Sequence, residues 1–588
     1  MCAVESRERK GYLVVKLNEV PKISLCILLG LQHYITMFGG TITYPYLLSN
    51  KMCINEQDPA RGYLIATNLF CAGFATFIQT TFGIRLPIIQ GPTFTFLIPT
   101  IAILDLPVWK CSTDDEITSK RANSTNMPQT VTNEEYDQVW QSRMREIQGA
   151  MIIASLTEVL IGCTGIMGLF LKYISPLSII PTITLIGLSL FKEAAGSAGE
   201  NWLISVLTIA LMVLFSQYLT DASIPLPFHE QKHGFRWKRI KIFRIFPVLF
   251  TIIIVWSICA ILTKTEMLPA NNGARTDARI TVLHNSPWIR VPYPFQWGIP
   301  SFTASAVLGF FAAVIASAIE SVGDYYACAR LCEAPPPPKH AINRGICFEG
   351  LGCLTSAIWG SGSGLTSYSE NIGAIGITKV GSRRVVQTAA IIMIFLSIFS
   401  KFSGLFATIP VPIIGGMFMI MFSIITAVGL SPLQFIDLNS SRNLFIIGIS
   451  IFTGISIPKW IAANPGAIDT GVQSIDQALS ILLSTGMLIG GVVGFFFDNT
   501  LPGTDEERGI HKWIAVPTQD EKDTEEGLKS YDLPFGLHSF LQKYPIFSYL
   551  PISSTYANPP SDTSSIEKQA KSLNARESQS FSEDMTPV

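Results

Sequence analysis

Two carboxylates stand four residues apart in the apolar run Ala316-Ser317-Ala318-Ile319-Glu320-Ser321-Val322-Gly323-Asp324. On a helix that spacing puts Glu320 and Asp324 on one face. Stacked carboxylates repel unless a cation or a proton lies between them, or one is neutral, so this face is a candidate for a coupling ion. A third carboxylate occurs in Tyr368-Ser369-Glu370-Asn371-Ile372-Gly373, just after the glycine-rich Gly360-Ser361-Gly362-Ser363-Gly364. His33 lies beside Gln32 in the first apolar stretch and reads either as a satisfied buried histidine or as part of a site. Ionisable side chains at membrane depth cost several kcal/mol and mark function by default. Glu158 and Glu193 are expected near helix ends or interfaces and receive no role.

The elements that position these residues are set by composition. The chain has 588 residues, 14% of them charged, and a formal net charge of −1; its mean hydropathy is +0.38. A soluble domain carries about 25% charged residues. Phosphate recognition needs a basic excess, so nucleic acid is excluded as a partner. Collagen, coiled coil and a wholly disordered chain are excluded by the same composition. Apolar runs such as Phe243–Leu262, Trp202–Leu219, Val385–Ile398, Ile413–Leu430 and Ile481–Phe497 suit bilayer spans, each needing about 20 residues. Counting weaker runs gives about fourteen spans, an all-α polytopic membrane protein.

Two apolar stretches cannot be continuous helices. Gln90-Gly91-Pro92-Thr93-Phe94 interrupts one, with a half-helix expected from near Thr93. The glycine-rich run before Tyr368 unwinds the other, with a short helix ending near Thr378-Lys379. Interrupted segments at corresponding places in two halves are the sequence mark of a transporter's central site. Halves of about seven spans, an odd number, must be inverted relative to each other. Two half-helix N-termini then point into one midplane cavity. The expected divisions are 1–22 as a cytoplasmic N-terminus, 23–263 and 301–497 as the two repeats, and 498–588 as a cytoplasmic tail.

Short loops rich in Lys and Arg mark the inner side. Lys232–Arg244 and Lys379–Arg384 therefore lie inside, with both termini, and Leu106–Glu146 lies outside. That outer loop holds the glycosylation sequon Asn123-Ser124-Thr125; Asn439-Ser440-Ser441 falls on an inner loop and is read as fortuitous. The N-terminus lacks a signal-peptide pattern, so no removal is expected. Cys53 and Cys111 both fall in outer loops, where a disulfide can form. The segment Asn558–Val588 has a disordered composition and ends Thr586-Pro587-Val588, a sequence compatible with a PDZ partner as well as with an ordinary tail end. Pro335–Pro338 reads as a rigid connector.

The sequence resembles the nucleobase–ascorbate transporter family over nearly all of its apolar length. The family signature, [Gln/Glu/Pro]-Asn-x-Gly-x-x-x-x-Thr-[Arg/Lys], stands here as Glu370-Asn371-Ile372-Gly373-Ala374-Ile375-Gly376-Ile377-Thr378-Lys379. Gln32-His33, Gln90–Phe94 and Glu320–Asp324 are further landmarks in the family's order. The resemblance implies a core domain of spans one to four and eight to eleven, a gate domain of the rest, homodimers, elevator-like transport and a plasma-membrane location. It implies substrate contacts at Glu320, Glu370 and Phe94, supported by Asn371, with Thr93, Tyr368, Ser369 and Gly373 of the same segments. It implies sodium as coupling ion, without a further cofactor, with Asp324, His33 and Gln90 as contributors.

The family's ascorbate carriers have Pro where this chain has Glu370. Ascorbate is a monoanion, which an ionised Glu370 disfavours. A nucleobase such as uracil, xanthine or hypoxanthine is largely neutral and offers adjacent N–H donors to a carboxylate. The leading expectation is thus sodium-coupled nucleobase uptake, and the alternative is an ascorbate carrier of the same family. An anion exchanger of inverted seven-span design would want a cavity without Glu370. An intramembrane aspartyl protease needs a second facing Asp; Asp105, Asp221 and Asp437 all fall at span ends. A scaffold protein has no use for a carboxylate within a span.

Overall fold

The computed structural model describes residues 15–109, 111, 133–168, 173, 175–230, 234–464, 466–504, 506–509, 528–537, 543 and 550–553. Asn123, most of the residues N-terminal to α1, and Thr586–Val588 lie outside them. The chain is almost all helix: α1 (Ile23–Lys51), α2 (Ala60–Thr81), α3 (Phe94–Leu104), α4 (Asn133–Thr164), α5 (Pro176–Ser189), α6 (Phe191–Gly199), α7 (Trp202–Val213) and α8 (Pro247–Lys264) make the first half. The second half comprises α9 (Ala304–Leu331), α10 (Lys339–Trp359), α11 (Ser369–Thr378), α12 (Arg383–Ile398), α13 (Val411–Leu430), α14 (Ser441–Ala463), α15 (Gln473–Ser484) and α16 (Gly486–Thr500). Four strands complete it: β1 (Gln90–Pro92), β2 (Ile224–Glu230), β3 (Gly234–Ile240) and β4 (Leu365–Ser367).

Among the described residues eight helices are long and apolar enough to cross a bilayer, or nine if the bent pair α15–α16 is counted as one span. The shorter α3 and a segment from Trp202 to Tyr218 that includes α7 are apolar as well. The fold is that of an all-α polytopic membrane protein with matching halves, in which β1–α3 in the first corresponds to β4–α11 in the second. The expected continuous span Ile481–Phe497 is corrected: the chain turns by 77° at Thr485, between α15 and α16. The basic segment before α8 contributes a strand pair, β2 antiparallel with β3.

Helix ends follow local chemistry. Ser175 caps α5 by accepting from the Leu177 N–H, with Pro176 at the first helical position. Gly360 ends α10 in the left-handed region at φ 72°. Small residues bring helices close, as expected where lipid offers no hydrophobic drive. A Cβ on Gly162 would lie 2.3 Å from the Cys347 amide, so α4 and α10 touch backbone to backbone.

The helices pack as two groups. One holds α1–α4 with α9–α12, through contacts such as α4 on α10 and α2 on α12; the other joins α5–α8 with α13, α14 and α16. In the second group Asp498 accepts from Ser175 (2.6 Å), Arg442 (3.2 Å) and Arg508 (2.9 Å), fastening the starts of α5 and α14 to the end of α16. A disulfide joins Cys53 to Cys111. Beyond α16, Ser530 and Tyr531 lie against the first group: Arg383 donates to the Ser530 carbonyl (2.9 Å), Arg344 to that of Tyr531 (2.5 Å), and the Tyr531 hydroxyl to the Pro335 carbonyl (2.6 Å).

Candidate functional site

The two interrupted segments meet. β1 pairs antiparallel with β4 in the register Gln90↔Ser367, Gly91↔Thr366, Pro92↔Leu365. The ladder is extended by Thr93 N–H to the Gly364 carbonyl (3.1 Å) and Tyr368 N–H to the Ile89 carbonyl (2.9 Å). Backbone that leaves the helical pattern at membrane depth must be paired within the protein, and here each strand satisfies the other. The close approach requires glycine at position 91, where a Cβ would fall 2.4 Å from the Tyr368 ring. The Tyr368 hydroxyl closes the arrangement by donating to the Pro92 carbonyl at 2.8 Å.

From opposite ends of this antiparallel crossing α3 and α11 start, and residues at both N-termini line one cavity. Its wall on the first group is polar: Gly40, Pro92, Thr93, Phe94, Thr95, Glu320, Thr366, Ser367, Tyr368, Ser369 and Glu370. Its wall on the second group is apolar: Ile183 and Ile186 of α5 face Met421, Ile424, Ile425 and Val428 of α13. The water-accessible volume is about 170 Å³. Thr93 caps α3 by accepting from the Thr95 N–H at 3.2 Å, and the Thr95 hydroxyl donates to Glu320 at 3.3 Å. Phe94 is held edge-on by Phe422, with ring centroids 5.1 Å apart. Glu320 and Glu370 thus reach one cavity from different elements, beside two helix N-termini that favour negative or acceptor-rich groups.

Of the residues singled out from sequence, Thr93, Phe94, Glu320, Tyr368, Ser369 and Glu370 all line this cavity. Others lie behind its wall. Asp324 is buried and accepts from the Ser369 hydroxyl at 2.7 Å, while its second oxygen has no hydrogen-bond partner among the described residues. Gln90 donates to the Ser367 hydroxyl at 3.1 Å and keeps an unpartnered carbonyl oxygen. Asn371 donates to the His33 carbonyl at 2.8 Å, and its amide nitrogen lies 3.3 Å from the His33 ring. His33 and Asn371 therefore fix α1 against α11. Gly373 stands apart: it is exposed, with no atom within 4 Å of an added Cβ.

Sequence reasoning missed Thr95, which lies two residues past the helix cap, and the hydroxyls of Thr366 and Ser367. It also missed Glu349, a carboxylate within the apolar α10 that the membrane-depth rule applied to Glu320 would have found. Glu158, expected near a helix end or interface, lies fully buried at the interface of α4 with α10.

A midplane cavity between two packed helix groups, fed by two half-helices, is transporter geometry. The Permease family (Xan_ur_permease) matches residues 25–463. The chain belongs to this family. Solute carrier family 23 member 2 of Rattus norvegicus is 51% identical over 554 residues, covering 93% of this chain and 84% of that protein. Nucleobase-ascorbate transporter 1 of Arabidopsis thaliana is 36% identical over 527 residues, covering 87% and 94%. The transmembrane domain of the cyanobacterial bicarbonate transporter BicA is similar at 12% identity and a TM-score of 0.41, over 82% of this chain and 98% of that one. The family resemblance read from the sequence holds, without deciding which member this is. The chain is a multi-pass membrane transporter and not an enzyme, so the protease reading falls.

Proposed function

We propose that this transporter takes up a nucleobase, a largely neutral heterocycle of the uracil, thymine, guanine, hypoxanthine or xanthine class, in symport with sodium across the plasma membrane. The carrying observation is that Glu320 and Glu370 lie on the wall of one cavity from two separate elements. Each carboxylate accepts N–H donors of a base in charge-assisted bonds worth about 1.5–3 kcal/mol. The N-termini of α3 and α11 supply donors for its carbonyl oxygens, and Phe94 supplies a ring face. The apolar wall of α5 and α13 excludes water on the opposite side. In an elevator-type cycle the first helix group carries the base past this wall, within a homodimer.

Asp324 and Gln90 each leave a buried oxygen unpartnered behind the half-helices. That favours a cation there, with sodium as the coupling ion and His33 holding Asn371 in place. The test is Glu370→Pro and Glu370→Ala: labelled uracil or xanthine uptake should be lost while surface expression persists. Undiminished uptake would remove the basis for the substrate assignment.

A second reading is a sodium-coupled ascorbate carrier of the same family, and the comparisons favour it over the first. The plant relative's name joins nucleobase with ascorbate, and the family 23 relative names no nucleobase. The acidic cavity is what sets the nucleobase first.

A further inference from the structure

A second pair of carboxylates is buried off the cavity wall, where α4, α9 and α10 pack together. Glu349 of α10 is 1% exposed. One of its oxygens accepts from the hydroxyls of Ser321 (2.5 Å), Thr366 (3.3 Å) and Ser317 (3.4 Å), the other from Tyr325 (3.0 Å). Four hydroxyl donors make a suitable shell for an ionised carboxylate. Glu158 of α4 is in the opposite position. It is fully buried, and neither of its oxygens has a hydrogen-bond partner among the described residues.

The titratable groups facing Glu158 are Glu349, Cys347 and Cys353 of α10 and Tyr325 of α9. Glu349 is in turn within electrostatic reach of Glu320 and Asp324 on α9. From α2 comes a neutral amide, Gln79, donating to the Tyr325 hydroxyl at 2.8 Å; β4 supplies only hydroxyls. None of these groups is a cation. An ionised Glu158, with only the weak thiol donor of Cys353 facing it, would cost several kcal/mol. A hard metal ion wants about six oxygen ligands, whereas the hydroxyls here are turned toward Glu349.

We propose that Glu158 and Glu349 form a proton-binding site, one proton residing on Glu158 while Glu349 stays ionised. The site connects to the transport machinery. The Ser321 hydroxyl contacts those of Thr366 (2.9 Å) and Ser367 (3.3 Å), and Ser367 accepts from Gln90 at 3.1 Å. Removing the proton places a second charge against Glu349 and loosens the hydroxyl shell that ties α9 to the β1–β4 crossing. High pH should therefore destabilise the crossing and the cavity built on it, a consequence for uptake that rests on the transporter reading.

Thermal unfolding of the purified full chain, followed from about pH 6 to about pH 9, tests this. The wild type should lose stability as pH rises. Glu158→Gln, which mimics the protonated side chain, should lessen that fall measurably, and the infrared carboxylic-acid band of Glu158, present in the wild type at about pH 6, should be absent from the variant. Identical pH profiles for the two proteins, or no such band assignable to Glu158, would overturn the proposal. A flat wild-type profile would do so without any variant. Neither readout uses a substrate, so a chain that carried ascorbate would leave the outcome intact.

Discussion

At the scale of single residues, the account assigns different tasks to carboxylates one helical turn apart. Glu320 lines the cavity and Asp324 lies behind it, under Ser369. Glu320→Gln should weaken nucleobase half-saturation by about 10- to 100-fold, since a charge-assisted bond worth about 1.5–3 kcal/mol is replaced by a neutral one. Asp324→Asn should instead move the sodium concentration for half-maximal uptake by a larger factor than it moves the substrate's. Uptake titrated against each in turn separates the two. These residues were legible in the sequence because an ionisable group in an apolar run is costly and so stands out. The opposite wall was not. Ile183, Met421 and Ile425 are ordinary residues at membrane depth, and nothing in an apolar run distinguishes a side chain facing substrate from one facing lipid or a neighbouring helix.

At the scale of elements, the paired strands are the feature on which the cavity depends. Gly91→Val would drive a side chain into the Tyr368 ring, which a Cβ alone already approaches at 2.4 Å. Transport should be lost together with a fall in thermal stability, measured on purified protein. The breaks at Gly91-Pro92 and Gly360–Gly364 were readable because proline and glycine interrupt helices by known chemistry. Their pairing with each other was not, since it depends on residues 273 or more apart in the chain coming together at one register. The bend at Thr485 escaped notice because a single Gly486 in an apolar run gives no comparable signal. In the second helix group, Asp498 is fully buried between Arg442 and Arg508. Asp498→Asn removes the charge that two guanidinium groups share and should lower the unfolding temperature, with the substrate preference unchanged.

At the scale of the whole molecule, the fold divides labour between a polar wall on one helix group and an apolar wall on the other. Relative movement of the two would expose the same cavity to either side. The Cys53–Cys111 disulfide closes a 58-residue separation in the first group. Replacing either cysteine by serine should cost about 2–4 kcal/mol, read as a lower unfolding temperature under non-reducing conditions. The most direct test of the central claim is uptake of labelled uracil, xanthine and ascorbate by the wild-type chain, in cells lacking these activities, with sodium present or replaced by choline. Nucleobase uptake that is abolished in choline, with no ascorbate uptake, is the predicted result. Sodium-driven ascorbate uptake without nucleobase uptake would contradict the assignment of Glu320 and Glu370 as readers of a neutral base.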